Sequence, residues 1–593
     1  MLARLKILVP GESTRTIFIA ACIGLMAGGV IILFRESLEL VHQVIFVRGS
    51  ELLRINEGGW RRLLLPLLPL TGAALLIPLS LLFPGKVNGY AFPRFLRRVN
   101  LENGVIEGKN IFIKIIATAL TIGSGNSAGV EGTIAQIGGA LGSKVGQTMR
   151  VSGKRMKVYI AAGCAGGIAG IFNAPIAGIF FAAEIVLLGS YEISSFAALV
   201  IASASATVVS RAYYGEFPAF PIPDYQVVNP FVEFPLYILM ALIVGILAVA
   251  HIRFFYLVRD RFRQLKVHPL AKPLIGALMV GVIGIGFPQV MGDGYTYIER
   301  TLAGEGLIWV MLALVVLKSV ATAITLGSGG AGGIFAPALF IGAVIGGAFG
   351  GIMHLLLPQY TANPGAYATV GIGAFLAAST QAPMTAIFLL FEMTGNYLII
   401  IPIMITAILG SSIAKSLYQD SIDTVDFTRE GINIHEGREV AIMKSIKVGK
   451  AITEEVDFIS ENANINHLLQ LFRLAKDSFY FPVVNSKGRM VGVVSMQDVK
   501  NILHDEKQRV CYLVGAICSR DVIQLTPDDN LYDAMQLFDL KGIEEIPVVE
   551  SHEDPWVLGM IKRRDVITAY NHEVLKRGIS EKEENFRVLC STS

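Results

Sequence analysis

The chain has 593 residues, of which 53% are hydrophobic and 16% charged, with a net charge of +3 and a mean hydropathy of +0.58. Soluble proteins carry about 25% charged residues, so the composition is that of a membrane protein, and so small a net charge argues against a nucleic-acid binder. The five cysteines (Cys22, Cys164, Cys511, Cys518 and Cys590) form no CxxC pair, which argues against a zinc site or a disulfide framework and leaves free thiols as the expectation.

The first apolar run, residues 16–34, follows Arg4, Lys6 and Arg15 and continues into Arg35 and Glu36 without a small-residue cleavage site. It reads as a membrane helix, not a signal peptide, and its basic lead-in puts the N-terminus in the cytoplasm. Apolar runs recur at 63–83, 235–250, 307–326 and 399–409. Some reach the roughly 20 residues a span needs, and others are broken by Gly or Pro. Between Leu307 and Ala414 the only formally charged side chains are Lys318 and Glu392. From about Asp426 the sequence turns mixed and charged, a tail of roughly 165 residues, about one ordinary domain in size.

The membrane part repeats. KIIATALTIGSG begins at Lys114 and KSVATAITLGSG at Lys318, 204 residues later, with eight of twelve positions identical. At that offset Glu131 falls on Phe335. NAPIAGIFFAAE (173–184) matches QAPMTAIFLLFE (381–392) at an offset of 208, so Glu184 falls on Glu392. Two homologous halves, about 16–212 and 235–425, follow, and repeats broken by Gly and Pro at matching places point to a transport site at the repeat interface. The tail repeats as well: FPVV (481–484) against IPVV (546–549), and GVVSMQDV (492–499) against GMIKRRDV (559–566). Each copy reads as helix, strand, turn, strand, helix.

A glycine-rich break at membrane depth must line a cavity or be buried in protein, because lipid cannot satisfy its backbone. Helices that start after such breaks aim unpaired N–H groups and the positive dipole end at the cavity. Pro175, Pro337 and Pro383 suit first turns, where a missing N–H costs nothing. Several such ends together hold an anion without a buried cation, loosely enough for it to leave. In TIGSGNSAGVEGT (121–133) the carboxylate of Glu131 is a tethered anion at a helix start. Charged, it would occupy and block an anion site; protonated or displaced, it would swing away. A plain helix cap is the alternative, and an intramembrane carboxylate favours the gate. For GGALG (138–142) and IGAVIGGAFGG (341–351) close helix packing is the better reading.

These motifs resemble the CLC chloride channel and transporter family across most of residues 16–425. GVEGT (129–133) looks like its gating-glutamate motif, with Val130 and Thr133 in place of a basic residue and a proline, and GIFAP (333–337) matches its second anion-binding motif. The resemblance implies an α-helical polytopic membrane fold, an inverted repeat of tilted, broken helices, and a homodimer with one anion pathway per subunit. It implies anion contacts from Gly129, Val130, Gly132, Gly333, Ile334, Phe335 and Ala336, with the amides of Ile334 and Phe335 at the central anion. The family's first motif falls on VNGYA (87–91), which places Asn88 where a serine usually binds the anion; an amide N–H donates similarly. The family's pore tyrosine falls on Asp423, with Tyr418 nearby but out of register. An aspartate replaces a phenolic donor only when protonated.

Proton-coupled members carry a second glutamate directly after the one matching Glu184, and here that residue is Ile185. The absent carboxylate resembles channel-type members, so a channel-like chloride pathway is expected, with chloride/proton exchange by another route as the alternative. Glu184 and Glu392 themselves read as buried, hydrogen-bonded carboxylates. A CBS-regulated divalent-cation transporter would need its carboxylates grouped, whereas Glu131, Glu184 and Glu392 each lie beside a helix start. The sequence has no Walker, HExxH or GxSxG motif and does not read as an enzyme.

The tail resembles a tandem CBS pair. That implies an α/β module used twice and adenine nucleotide (ATP, ADP or AMP) between the copies, with Ser495 and Asp498 in the first and Lys562 and Asp565 in the second. A pair that only supports the dimer and binds nothing is the alternative. Expected boundaries are 1–425 for the membrane domain, 426–445 for a linker, 446–506 and 513–575 for the CBS copies and 576–593 for a C-terminal tail. No resident cofactor or metal is expected. The expected setting is a bilayer, a prokaryotic inner membrane with the CBS tail in the cytoplasm, and the expected transported partners are chloride and, for exchange, protons.

Overall fold

The computed structural model describes residues 12–87, 89–151, 153–189, 193–216, 220, 225–434, 437–453, 456–475, 478–500 and 512–574. The chain divides into two compact units between Ile434 and His435. In the first, eight helices among the described residues are long and apolar enough to cross a bilayer, and two shorter apolar helices accompany them. The main helices of its first half are α1 (Glu12–Val41), α2 (Leu67–Leu82), α3 (Phe92–Asn100), α4 (Lys109–Gly123), α5 (Glu131–Thr148), α6 (Gly153–Phe172), α7 (Pro175–Phe181) and α8 (Ile193–Tyr214). The second half contains α9 (Pro230–Gln264), α10 (Lys272–Gly286), α11 (Tyr295–Leu302), α12 (Ile308–Ser328), α13 (Phe335–Leu356), α14 (Pro364–Thr380), α15 (Pro383–Thr394) and α16 (Ile400–Leu417).

The repeats become symmetry-related structure. Lys114 and Lys318 lie on α4 and α12, and the breaks after them lead into α5 and α13. Thr121 Oγ1 accepts from the Ala331 amide at 3.1 Å, and its repeat mate Thr325 Oγ1 accepts from the Ser127 amide at 3.2 Å. At the end of each half Phe180 stacks on its own mate Phe388, with ring centroids 4.6 Å apart. Paired contacts of this kind are what a local two-fold relation between the halves requires. The glycine stripes pack helices: the Gly138 and Gly163 backbones meet between α5 and α6, and their mates Gly342 and Gly371 meet between α13 and α14.

Pro175 and Pro383 stand at the first positions of α7 and α15, and Pro337 lies in the first turn of α13. The described cysteines, Cys22, Cys164 and Cys518, are free thiols.

The second unit holds two small sheets. Strand β1 (Ile459–Ser460) runs parallel to β2 (Tyr480–Val484), which pairs antiparallel with β3 (Met490–Ser495). In the second copy β4 (Glu545–Val549) pairs antiparallel with β5 (Val557–Lys562). Both hairpins shift register at the same place, Val483/Val484 and Val548/Val549. Helices Ile465–Leu474 and Leu531–Lys541 cover them, and each copy has its own apolar core, around Phe481 and Val494 in one and Phe538 and Ile546 in the other. The order helix, strand, turn, strand, helix matches the sequence reading, with the two-residue β1 added. Asp426, at the start of the expected linker, is tied into the first unit by Arg259.

Candidate functional site

Two broken segments meet at the repeat interface. The Gly129 amide donates to the Gly333 carbonyl at 2.8 Å and the Gly333 amide returns the bond at 2.7 Å. These glycines are repeat mates, so the bridge lies on the local two-fold relation. It needs glycine on both sides: a Cβ at Gly129 would strike Glu131 Oε2 and the Ala336 amide, and one at Gly333 would lie 2.9 Å from the Gly132 nitrogen. The bridge holds the N-termini of α5 and α13 side by side. Each end carries roughly half a positive charge, and N–H groups of the first turns, including those of Gly132 and Phe335, have no intrahelical acceptor.

Glu131 begins α5 and is fully buried. Its Oε2 accepts from the Ala336 amide of α13 at 3.1 Å, and its Oε1 accepts from the Tyr295 hydroxyl. The carboxylate of one half thus sits where the helix end of the other half would draw an anion. Val130, Ile334, Phe335 and Ala336 are buried around it, so the structure brings Glu131 and the predicted residues 129–132 and 333–336 together. Asn88 lies outside the described residues.

Tyr295 and Lys318 complete the surroundings, and sequence reasoning gave neither a role. Lys318, fully buried on α12, donates to the carbonyls of Val290 and Gly292 at 3.0 and 2.9 Å. It thereby anchors the turn that delivers Tyr295 to Glu131. Beyond Tyr295 lies a cavity of about 560 Å³, lined by His42, Phe46, Gly125, Asp293 and Arg300 among others. A pattern such as MGDGY (291–295) gives no signal that its tyrosine reaches a residue 164 positions earlier.

Asp423 is buried and accepts a hydrogen bond from the Tyr90 hydroxyl. Tyr90 belongs to the VNGYA segment, yet the sequence singled out only Asn88 there. Tyr418 points elsewhere, under the Arg253 guanidinium, which lies 5.4 Å from its ring centroid.

Glu184 and Glu392 are half-buried, less enclosed than the sequence implied. Each caps the other half. Glu392 accepts from the amides of Ile176 and Ala177 at the start of α7, at 3.0 and 2.8 Å. Glu184 accepts from the amides of Met384 and Thr385 at the start of α15, at 3.1 and 2.7 Å. Glu131, Glu184 and Glu392 are therefore committed to three different helix starts, and no group of three metal-ligating side chains forms among the described residues. Ile185, beside Glu184, is buried.

In the tail, Ser495 and Asp498 form a capping box in which Asp498 Oδ2 accepts from the Ser495 amide and hydroxyl, both at 2.7 Å. Lys562 occupies the equivalent place opposite Glu545, as Ser495 does opposite Tyr480. It is buried, donates to Ser478 Oγ at 3.0 Å and lies 3.8 Å from Glu545 Oε1. Its ammonium group is thus engaged by Ser478 and Glu545. Asp565 Oδ2 lies 3.5 Å from Thr453 Oγ1. Burial raises the pKa of Glu545 above the usual carboxylate range, although the Phe479 amide and Lys562 oppose the shift.

These features define a class: a multi-pass membrane protein whose two halves bring two helix N-termini together at their interface, followed by a paired α/β module. The model described as "Voltage gated chloride channel" matches residues 72–415, and the CBS domain model matches 448–505 and 514–572. The chain is 32% identical over 421 residues to an H(+)/Cl(−) exchange transporter of Vibrio campbellii, covering 68% of this chain and 87% of that one. It is 26% identical over 640 residues to the chloride channel protein CLC-f of Arabidopsis thaliana, covering 94% and 79%. A slow cyanobacterial Cl−/H+ antiporter superposes with a TM-score of 0.63 at 27% identity, covering 70% of this chain and 98% of that one. A eukaryotic CLC transporter matches the fold at 18% identity with a TM-score of 0.62, covering 93% and 98%. The protein belongs to the CLC family of anion channels and transporters and carries a C-terminal CBS pair.

Proposed function

We propose that the protein conducts chloride through a pathway gated by Glu131, in the manner of a channel. One observation carries the gate: the Glu131 carboxylate occupies the end of α13, held by the Ala336 amide and the Tyr295 hydroxyl. An arriving anion competes for the same N–H groups. Protonation removes the charge that α13 attracts and releases the side chain toward the cavity. Ile185 supports the channel-like reading, since an alkyl side chain carries no proton. A second reading, chloride/proton exchange, draws on the exchange transporter and antiporter among the similar proteins. The same reading takes the protein as a homodimer in a prokaryotic inner membrane with its CBS pair in the cytoplasm. Adenine nucleotide would meet Ser495, Asp498 and Asp565, with Lys562 bracing the cleft from within.

The test is chloride efflux from liposomes across a pH series, for wild type and Glu131→Gln. The glutamine mimics the protonated acid and cannot block as an anion. Wild-type flux should fall by up to about tenfold per pH unit once the acid ionises, while the variant varies by less than about twofold over the same range. A variant with the wild-type rate and the wild-type pH profile would rule out Glu131 as the gate.

A further inference from the structure

Tyr295 ends a turn that has a mate in the other half. FP (83–84) recurs at 287–288, and NGY (88–90) recurs as DGY (293–295), at offsets of 204 and 205. Both turns hold to the opposite half in the same way. The Gly89 amide donates to the Gly329 carbonyl at 3.1 Å, and the Gly292 amide donates to the carbonyl of Gly125, the mate of Gly329, at 3.2 Å. Gly125 lies in the broken segment that carries Glu131. The second-half turn therefore grips the gate segment twice, by a backbone bond to Gly125 and by the Tyr295 hydroxyl on Glu131.

Its other contacts fix where that hydroxyl can reach. Lys318 donates to the Val290 and Gly292 carbonyls, and Asp293 Oδ1 accepts from the Tyr295 amide at 3.2 Å. Gly294 has φ +89°, and a Cβ there would lie 2.6 Å from the Phe340 ring of α13. The Tyr295 ring packs edge-on against Phe220, with centroids 5.5 Å apart. All of these contacts would form with a phenylalanine at 295, so the fold has no use for the hydroxyl. Among the described residues Tyr295 is the one side chain that hydrogen-bonds Glu131. The charged groups facing the pair are Asp293, Lys318 and Arg35, with Glu39, His42 and Arg300 around the cavity, and among the described residues none of them hydrogen-bonds the carboxylate. The turn from Met291 to Tyr295 also lines the cavity of about 560 Å³, which gives the tyrosine space when the carboxylate leaves.

We infer that Tyr295 is the latch of the Glu131 gate, a positioning residue from the second half that keeps the carboxylate of the first half in its blocking pose. A donated O–H favours the ionised carboxylate over the neutral acid, and that bond must be given up before the side chain swings away. The latch therefore sets both the pH below which the gate opens and the chloride concentration needed to displace it. This role rests on the proposed gating by Glu131.

The test is chloride efflux from liposomes holding the full chain, measured across a pH series. Tyr295→Phe keeps the ring and the backbone contacts and removes the hydroxyl alone. Its midpoint should lie about one to two pH units above that of wild type, the shift expected from losing one charge-assisted hydrogen bond. On the alkaline side its flux should exceed wild type by about tenfold or more, and it should reach half-maximal flux at lower chloride. In the Glu131→Gln background the same substitution should change flux by less than about twofold at every pH, because two residues acting as one unit are not additive; a packing defect would act in both backgrounds. A Tyr295→Phe midpoint that stays in place or moves down overturns the latch, as does an equal gain in both backgrounds. If Glu131→Gln itself retains the wild-type pH profile, the gate fails and the latch with it. If Glu131→Gln flattens the profile while Tyr295→Phe matches wild type, the gate stands and only the latch falls.

Discussion

The two halves of the membrane unit share a scaffold and differ at the position where an anion would be controlled. Lys114 matches Lys318, Gly129 matches Gly333, and Glu184 matches Glu392; each glycine and each glutamate reaches across to the other half in the same way. At the helix start, however, Glu131 faces Phe335. Matched residues hold the halves together, and the carboxylate of the proposed gate is unmatched. The CBS copies repeat the lesson. Asp498 matches Asp565, while the hydroxyl of Ser495 is matched by a lysine that has turned inward to Glu545.

The largest effect should come from breaking this asymmetry at the helix start. Glu131→Gln should remove most of the pH dependence of flux, whereas Phe335→Leu at the mate position should retain it; both are read from chloride efflux against pH. If Phe335→Leu abolished pH dependence as completely as Glu131→Gln, the unmatched carboxylate would not be the controlling group. Next in size is the matched bridge. Gly333→Ala inserts a methyl group 2.9 Å from the Gly132 nitrogen, and overpacking of this kind costs about 1–3 kcal/mol. Its thermal stability in detergent should drop, and Gly129→Ala should behave alike.

The matched glutamates sharpen the comparison further. Glu184→Gln and Glu392→Gln each weaken a helix cap worth about 1–2 kcal/mol. Both should lower stability to a similar degree and leave the reversal potential unchanged. A shift in reversal potential for Glu184→Gln alone would give that residue a transport role its mate lacks. In the tail, Asp498→Ala should weaken adenine-nucleotide binding, measured by calorimetry on the full chain, by about tenfold or more if a charge-assisted hydrogen bond of about 1.5–3 kcal/mol is lost. Wild-type protein that binds no nucleotide leaves the pair a dimer support.

The smallest effect concerns Glu545. Its folded-state pKa is raised by burial, so the folded state takes up a proton more readily than the unfolded state does, and the carboxylate's unfavourable contribution grows as pH rises through that raised value. Glu545→Gln should slow hydrogen exchange of the 545–549 amides at neutral pH. The gain over wild type should shrink as pH falls below the raised value, where both side chains are neutral.

Much of this was legible in the sequence because repeats leave a periodic trace. The offsets of 204 and 208 marked out the two halves and their matching positions, and the glycine and proline breaks foretold the helix starts. Glu131 stood out because it is a carboxylate in apolar surroundings. Tyr295 and Tyr90 did not stand out: each reaches its acid across a long sequence separation, and such a contact follows no helix or strand period. The partners of Lys562 were not legible for a related reason. Whether a lysine faces a ligand or a neighbouring strand depends on pairing register, and the β4–β5 register sets it opposite Glu545. The half-exposure of Glu184 and Glu392 likewise depends on how α7 and α15 pack, which composition does not report.

The most direct measurement is the reversal potential of reconstituted protein under a chloride gradient, with and without a superimposed pH gradient. A channel-like pathway gated by Glu131, with Ile185 in place of a proton carrier, predicts the chloride equilibrium potential in both conditions. A reversal potential displaced by the pH gradient would contradict it and establish exchange by a proton route that bypasses residue 185.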